Sequence, residues 1–583
     1  MNKKEFELFL KRQEVERRTS TQKILDSIHP RKVIVSGPGT GKTFTFKEVL
    51  KTKSGDCLAL TFINNLARKL EEELGDLAKV CTFHSFCKEM LHKIPKEDLS
   101  NQFILFPYLE DIIKSDMRIM FNEKRNFSRS FHKMDLSDNS IEFFIHRSSY
   151  YDAVSFDDSV YRVMEYFKYN PEQIPRYEQV VVDEYQDFNK LEVEFLDILA
   201  EKNPMLIVGD DDQALYGMLK SASAEYIREK FNDPDYEHFC LPFCSRCPAV
   251  ITQAIEDILV KAKQKGKLNN RINKIYKCYL PDKWRDSQQY PKIAYVQCST
   301  QSKKTPYIAR FIEKEIDKLT PDEIRGANAK GDYTVLIAGS GHYLKQVQTY
   351  FKNTEKYNLF LRKDSGHTES FKIIDGYKIL LKNGEDSNLG WRILLEFDKI
   401  KNTKDLLKKT NNDSSLLLTN LLDSAYVKKH KAIMVILRNL INDETIVSEQ
   451  QEIIENVIKA PIGKIKEELK MDDVEKDNDF GEINEDDISI VFSTYVGCKG
   501  LSAGYVFIVG LDEGNLPKKN NAPTELEIRK FIVCLTRTIK KCYLVSIGNF
   551  SGRWLKQSIF INWISPKRID FINVNKAYFD KKG

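Results

Sequence analysis

An apolar run, Val33–Ser36, leads directly into Gly37-Pro38-Gly39-Thr40-Gly41-Lys42-Thr43 and then into a helix-compatible stretch, Phe44–Leu50. No other feature of the chain restricts its fold so tightly. Glycines let successive backbone amides turn toward one centre, and a helix N-terminus adds a field that favours anions. A buried strand must stand behind such a loop to fix it. Lys42 is placed to reach the outer phosphates of a bound nucleotide, and Thr43 to ligate magnesium. An ordinary glycine-rich turn has no need of strand, loop, lysine and helix in this order.

Cys57–Phe62, Lys79–Phe83, Val180–Asp183 and Met205–Gly209 are further short apolar runs that end in polar or glycine-rich residues. Helical patterns separate several of them, as expected for buried parallel strands of an α/β sheet. A second set follows in Tyr333–Ala338, Ser489–Thr494, Tyr505–Leu511 and Cys542–Ile547. The fold class is therefore α/β, with two parallel-sheet domains and a ligand cleft between them. The expected division places the first sheet domain in residues 1–87 and 150–245, with a mostly helical subdomain, 88–149, inserted in it. The second sheet domain takes 246–391 and 488–583 and carries a helical insert, 392–487. The acidic stretch Glu467–Asp487 reads as a solvated linker, since phosphate would be repelled there.

Val180-Val181-Val182-Asp183-Glu184-Tyr185-Gln186-Asp187 supplies a partner for the glycine loop. A carboxylate at the end of a buried strand is costly unless it binds a cation. Asp183 is then the magnesium-side ligand, Glu184 polarises an attacking water, and Asp187 fits a strand-end cap. Gly209-Asp210-Asp211-Asp212-Gln213 follows the next strand, and Gln213 can sense a γ-phosphate because a carboxamide donates and accepts at once. ATP and Mg²⁺ are the cofactors these residues imply.

Composition adds limits rather than direction. The net charge of +5 over 583 residues neither argues for nor excludes nucleic acid. Eleven cysteines, thinly spread, fit free thiols in a reducing compartment. No apolar stretch approaches membrane-span length, so a cytoplasmic location without membrane contact is expected. Cys244 and Cys247 form a Cys-x-x-Cys pair near Cys240, but no second pair lies at zinc-ribbon spacing. Lys261–Arg285 interleaves basic residues with Tyr276, Tyr279 and Trp284; it reads equally as a nucleic-acid patch or a solvated connector. The opening run through Arg18 is amphipathic and basic, fitting either a packed or a partner-binding leader.

From Thr21-Gln22 to about Gly548, the ordered motifs resemble those of superfamily 1A helicases of the UvrD/Rep/PcrA kind. The resemblance implies two RecA-like parallel-sheet P-loop NTPase domains with two mostly helical inserted subdomains. It also implies an ATP-dependent translocase on single-stranded or partially duplex DNA that moves 3′ to 5′. Gln22 matches the family's adenine-reading glutamine. Leu58–Ala67 and Thr82-Phe83-His84-Ser85-Phe86 match motifs that line the strand track, and assign Phe62, Asn64, Thr82 and His84 to nucleic acid. Tyr216 and Thr494 join them by the same resemblance. Phe243–Pro248 and Glu527–Arg537 match motifs whose arginines, Arg246 and Arg537, act as fingers on the γ-phosphate. Thr494–Leu501 matches a third motif, which puts Lys499 and Gly500 at the nucleotide.

Four positions depart from the family pattern. Ser245 stands where the family stacks a tyrosine on adenine, and Ser502 where a glutamate bonds the ribose. Val496 replaces a histidine, and Gly217-Met218-Leu219-Lys220 lacks the aromatic and Arg-Gly that help hold the strand. The phosphate end is complete, so relaxed selectivity for base and sugar is expected. The resemblance extends to compact UvrD-like proteins of Gabija-type anti-phage systems. These give an alternative expectation: a sensing ATPase subunit that regulates a partner nuclease.

Overall fold

The computed structural model describes residues 3–61, 64–94, 103–137, 139–354, 356–361, 370–470 and 484–580, without the side chains of residues 64–66, 69, 218, 219 and 330. A six-stranded parallel sheet runs in the spatial order Lys79–Thr82, Cys57–Thr61, Gln179–Val182, Met205–Gly209, Arg31–Ser36, Glu237–Leu241. Successive side chains of a strand point to opposite faces. Val33, Val35, Leu60 and Val182 accordingly enter one apolar core, while Ile34, Ala59, Val181 and Val208 enter another.

The second sheet is seven-stranded and also parallel, in the order Asn358–Leu361, Ser489–Ser493, Tyr333–Ala338, Ala503–Val509, Thr538–Ile547, Ile293–Cys298, Ile569–Val574. It too is packed on both faces: Leu336, Val491, Val506 and Leu544 on one, Ile337, Ile490, Phe507 and Val545 on the other. The expected α/β class with two parallel sheets is thus present. Three of the strands absent from the sequence expectation, Glu237–Leu241, Asn358–Leu361 and Ile569–Val574, are sheet edges whose half-exposed residues break the apolar run.

The helical inserts differ from expectation in extent. The boundary set at Arg392 falls inside the helix Asn388–Asp398, and those at 88 and 149 fall inside Phe83–Lys93 and Ser140–Tyr150. Between Ile373 and Leu469 the clustered apolar side chains pack into the core that the inserts share with the first sheet, rather than into the cores of the second. The two inserts also close on each other. Asp116, from the helix Leu109–Phe121, accepts from Arg147 Nε (3.1 Å) and Nη2 (3.0 Å), Tyr151 Oη (2.5 Å) and Arg392 Nε (2.6 Å). All three charged side chains are 0% exposed. Tyr150 Oη donates to Leu416 O (3.0 Å), and Asn388 Nδ2 to Tyr150 O (3.2 Å), across the same junction.

The leader is a helix, Lys3–Asp26, packed along part of its length, with Gln13 and Ile24 buried. Gln13 Nε2 donates to Cys278 O (3.2 Å), Lys277 pairs with Glu16 (2.6 Å), and Phe6 meets Trp284 at 6.1 Å. Among the described residues no helix is long and apolar enough to cross a membrane.

Candidate active site

The glycine loop forms as its sequence requires. Gly39 and Gly41 take φ of +67° and +86°, in the left-handed region that side chains with a Cβ avoid. Thr40 Oγ1 donates to Gly37 O (2.8 Å), which tightens the turn, and the helix Lys42–Leu50 starts directly after it. The loop therefore presents Lys42 and Thr43 at a helix N-terminus, as expected.

Lys42 Nζ donates to Glu184 Oε1 at 2.7 Å and lies 3.9 Å from Asp183 Oδ1. Burial works against the Lys42 charge, but Glu184 and Asp183 outweigh it and hold its pKa above the ordinary value. Burial would likewise raise Glu184; Lys42 and Lys499 reverse this and hold it well below the usual carboxylate range. Asp183 is raised, since desolvation exceeds the help it receives from Lys42. Glu184 also adopts φ +55°, rare for a residue with a side chain, and such strain persists only where the surroundings fix it. Its second oxygen accepts from Gln186 Nε2 (2.5 Å) and lies 3.2 Å from Lys499 Nζ. The half-buried Thr43 hydroxyl and the buried Asp183 carboxylate offer the hard oxygen donors that magnesium selects. By the chemistry of those donors, these residues fit the ion.

Side chains of the second half reach across the cleft. Ser245 N and Oγ donate to Gly39 O at 2.9 and 3.1 Å, and a Cβ on Gly39 would fall 2.4 Å from Arg246 Cβ. Arg246 is thus pressed against the glycine loop. Arg537 Nη2 donates to Gln213 Oε1 (3.2 Å), its Nη1 to Leu501 O (3.3 Å) and its Nε to Val533 O (3.0 Å). Burial, and then the nearby Arg246 charge, lower the Arg537 pKa to about 10. A buried guanidinium held by carbonyls and beside a second cation is arranged to receive an anion. Lys499 joins the two halves more directly than expected. It bonds Asp187, donates to Gln213 O (3.0 Å), and sits over the Tyr216 ring at 5.6 Å. Asp187 is therefore a cross-cleft partner and not merely a strand-end cap. Gly500 follows with φ +82°.

Gln22 does not take the place given to it. Arg17, Ser20 and Thr21, on one side of the leader helix, line a small cavity of about 20 Å³ beside Thr40, Gly41 and Phe44. Gln22 lies a further 100° or so around the helix, is exposed, and donates to Asp26 (2.7 Å). Ser502 donates to Asp332, so its hydroxyl too is engaged within the protein.

The residues assigned to nucleic acid are mixed. Phe62 and the side chain of Asn64 lie outside the described residues. Thr82 is buried and caps the helix Phe83–Lys93, accepting from Ser85 N (3.2 Å), so its hydroxyl has a structural use. His84 packs on Phe156 (5.1 Å), and burial lowers its pKa. Thr494 Oγ1 accepts from Gly497 N (3.0 Å), and Tyr216 is buried under Lys499. Lys220 is buried against Glu192 (3.2 Å).

The basic stretch Lys261–Arg285 is neither a plain connector nor, in its middle, a free phosphate patch. Arg271 and Lys274 bond Asp212 at 2.8 and 3.0 Å, and Tyr276 Oη lies 2.9 Å from Asp210 Oδ2. Asp210 in turn accepts from Gln213 Nε2 (2.7 Å). All eleven cysteines are free, and Cys247 Sγ donates to Thr536 O (3.5 Å) between two of the motif loops.

Two parallel sheets, a phosphate loop on one and Arg537 bridging from the other to Gln213 make this a two-domain P-loop NTPase. A family model described as "AAA domain" matches residues 21–218. The chain is 23% identical to the probable DNA helicase II homolog of Mycoplasma genitalium, covering 93% of this chain and 86% of that one. It is 28% identical to DNA helicase II of Haemophilus influenzae over 39% of this chain and 38% of that one. It is 21% identical to ATP-dependent DNA helicase PcrA of Staphylococcus aureus over 61% and 52% of the two chains. The protein is UvrD/Rep/PcrA-like.

Proposed function

We propose that the chain is an ATP-dependent DNA helicase, hydrolysing ATP with Mg²⁺ in the cleft between the sheets and moving 3′ to 5′ along single-stranded DNA. The observation that carries this reading is the bond from Arg537 to Gln213, which brings a buried arginine of the second sheet to the phosphate side of the first. The backbone amides of Gly37, Gly39 and Gly41 and the Lys42 ammonium bind the phosphates. Lys42 then exchanges Glu184 for phosphate oxygens, which frees the Glu184 carboxylate to orient and deprotonate water. Thr43 and Asp183 hold the magnesium ion, which supplies charge neutralisation when bound. Arg246 and Arg537 balance the charge that builds on the transferring phosphoryl group, so hydrolysis depends on closure of the cleft. Opening after hydrolysis releases that constraint and moves one sheet relative to the other along the strand. Phe62, Asn64, Thr82, His84, Tyr216 and Thr494 remain our assignment for the strand path. Ser245 and Ser502, both engaged by protein groups, support loose recognition of base and sugar.

Steady-state hydrolysis of ATP, GTP and dATP, with and without single-stranded DNA, tests the reading alongside strand displacement on 3′- and 5′-tailed duplexes. We expect DNA-stimulated turnover of all three within about tenfold of one another, unwinding from the 3′ tail, and at least about a 10³-fold loss in Lys42→Ala. Full DNA-stimulated hydrolysis by Lys42→Ala would sink the site assignment. Unwinding only from the 5′ tail would reverse the polarity.

A further inference from the structure

Between the helix Ala249–Gln264 and the short strand Lys277–Cys278, the chain sends three side chains toward the first sheet. Lys274 Nζ lies 3.0 Å from both Asp210 and Asp212 and bonds Asp211 as well. Arg271 donates to Asp212 from Nε (3.1 Å) and Nη2 (2.8 Å). Arg228 Nε and Ile272 N complete the set on Asp211, at 2.9 and 3.0 Å. These cations account for the burial of three adjacent carboxylates, which would otherwise be prohibitive.

Tyr276 adds no charge, so neutralisation does not explain it. Its hydroxyl lies 2.9 Å from Asp210 Oδ2 and 2.8 Å from Asp212 Oδ2. Its ring edge rests on the phosphate loop: a Cβ built on Gly37 would fall 2.1 Å from Tyr276 Cε1 and 2.5 Å from Cδ1. A rigid ring therefore spans from Gly37 to Asp210. Asp210 holds the Gln213 carboxamide at 2.7 Å, and that carboxamide accepts from Arg537 at 3.2 Å. A displacement of the loop at Gly37 toward the ring is passed to it directly, and the ring's far end is fixed to the aspartate that orients Gln213.

We propose that Tyr276 is a positioning residue that couples occupancy of the phosphate loop to Gln213 and, through it, to Arg537. The inference rests on the ATPase reading above and adds to it the means by which phosphate binding is reported across the cleft.

Tyr276→Phe keeps the ring and removes the hydroxyl. We expect DNA-stimulated kcat to fall about 5- to 20-fold while the Kd of a fluorescent ATP analogue stays within about twofold. Gly37 has an ordinary φ, so Gly37→Ala is permitted by its backbone and acts through the collision with the ring. Gly37→Ala should lower kcat by displacing the ring, and adding Tyr276→Ala removes the collision, so the double variant should be no slower than the slower single variant. Wild-type kcat in Tyr276→Phe overturns the coupling, as does a parallel loss of kcat and affinity. So does a double variant as slow as the product of the two single effects. An unaltered chain that hydrolyses no nucleotide overturns the ATPase reading and the coupling together, an outcome distinct from an active chain indifferent to Tyr276→Phe.

Discussion

Two buried ionic networks join parts of this molecule that are far apart in sequence, and they are built differently. In the cleft, Lys42, Lys499 and Arg537 meet Glu184, Asp187 and Gln213 through long side chains, with backbone carbonyls filling the remaining valences. Between the helical inserts, one short carboxylate, Asp116, is clamped by Arg147, Arg392 and Tyr151 inside an apolar core. The first network can exchange partners, because phosphate oxygens can replace Glu184 on Lys42 and Gln213 on Arg537. The second is closed within the protein, with Arg392 also 2.9 Å from Glu396, and removing one arginine leaves buried polar groups without their partner. One is arranged to open and close; the other fastens two inserts into one body.

The largest effect expected from breaking this contrast is kinetic. Arg537→Ala should reduce turnover by about 10²- to 10³-fold while nucleotide binding changes only a few-fold, because its partner is made in the transition state. Single-turnover hydrolysis set beside equilibrium binding separates the two, and a parallel fall in both would assign Arg537 to ground-state binding. Smaller, and thermodynamic, is the effect expected of Arg392→Leu. It should cost about 3 kcal/mol and raise proteolytic cleavage between the inserts, with the ATPase of the folded fraction preserved. Unchanged melting and protection would mean that the inserts are held by apolar contacts alone. The smallest effect sharpens the comparison with a carboxyl that has no cation at all. Burial pushes Asp512 to about 7, above its ordinary 3.8, with only the bond from Ile547 N (2.9 Å) opposing the shift. A raised folded-state pKa means that its stability contribution is present at low pH and is lost as pH rises through 7. The melting temperature of Asp512→Asn should therefore gain on wild type between pH 5 and pH 8. A constant difference across that range would show that the group does not titrate in the fold.

The phosphate end was legible because its constraints are local. A glycine at φ +86° beside a lysine, and a carboxylate after a buried valine run, each need only neighbours in sequence to be interpreted. Asp187, Arg271, Lys274 and Tyr276 were not legible as site residues. Their meaning depends on partners 59 to 312 positions away, as in Arg271 with Asp212 (59 apart), Tyr276 with Asp210 (66 apart) and Lys499 with Asp187 (312 apart). Basic and aromatic residues in one stretch looked alike on paper, yet Lys274 is buried in a triple aspartate whereas Lys263 and Lys265 are exposed. Gln22 failed for a different reason: an unbroken helix through Asp26 fixes the direction of every side chain on it, and a motif match carries no such direction. The insert boundary at Arg392 was misplaced because a fully buried arginine reads as a surface residue until Asp116 is seen beside it.

The leader helix, through its contacts at Cys278, Lys277 and Trp284, spans the seam between the halves as a splint does. A contact that persists through a motion must lie near the axis of that motion. If the helix stays docked, the two sheets cannot simply draw apart; they must swing, with little travel beside the helix and most at the far lip of the cleft. The same few degrees of rotation would then move groups beside the splint, among them Thr40 and Gly41, through a shorter arc than groups farther from it.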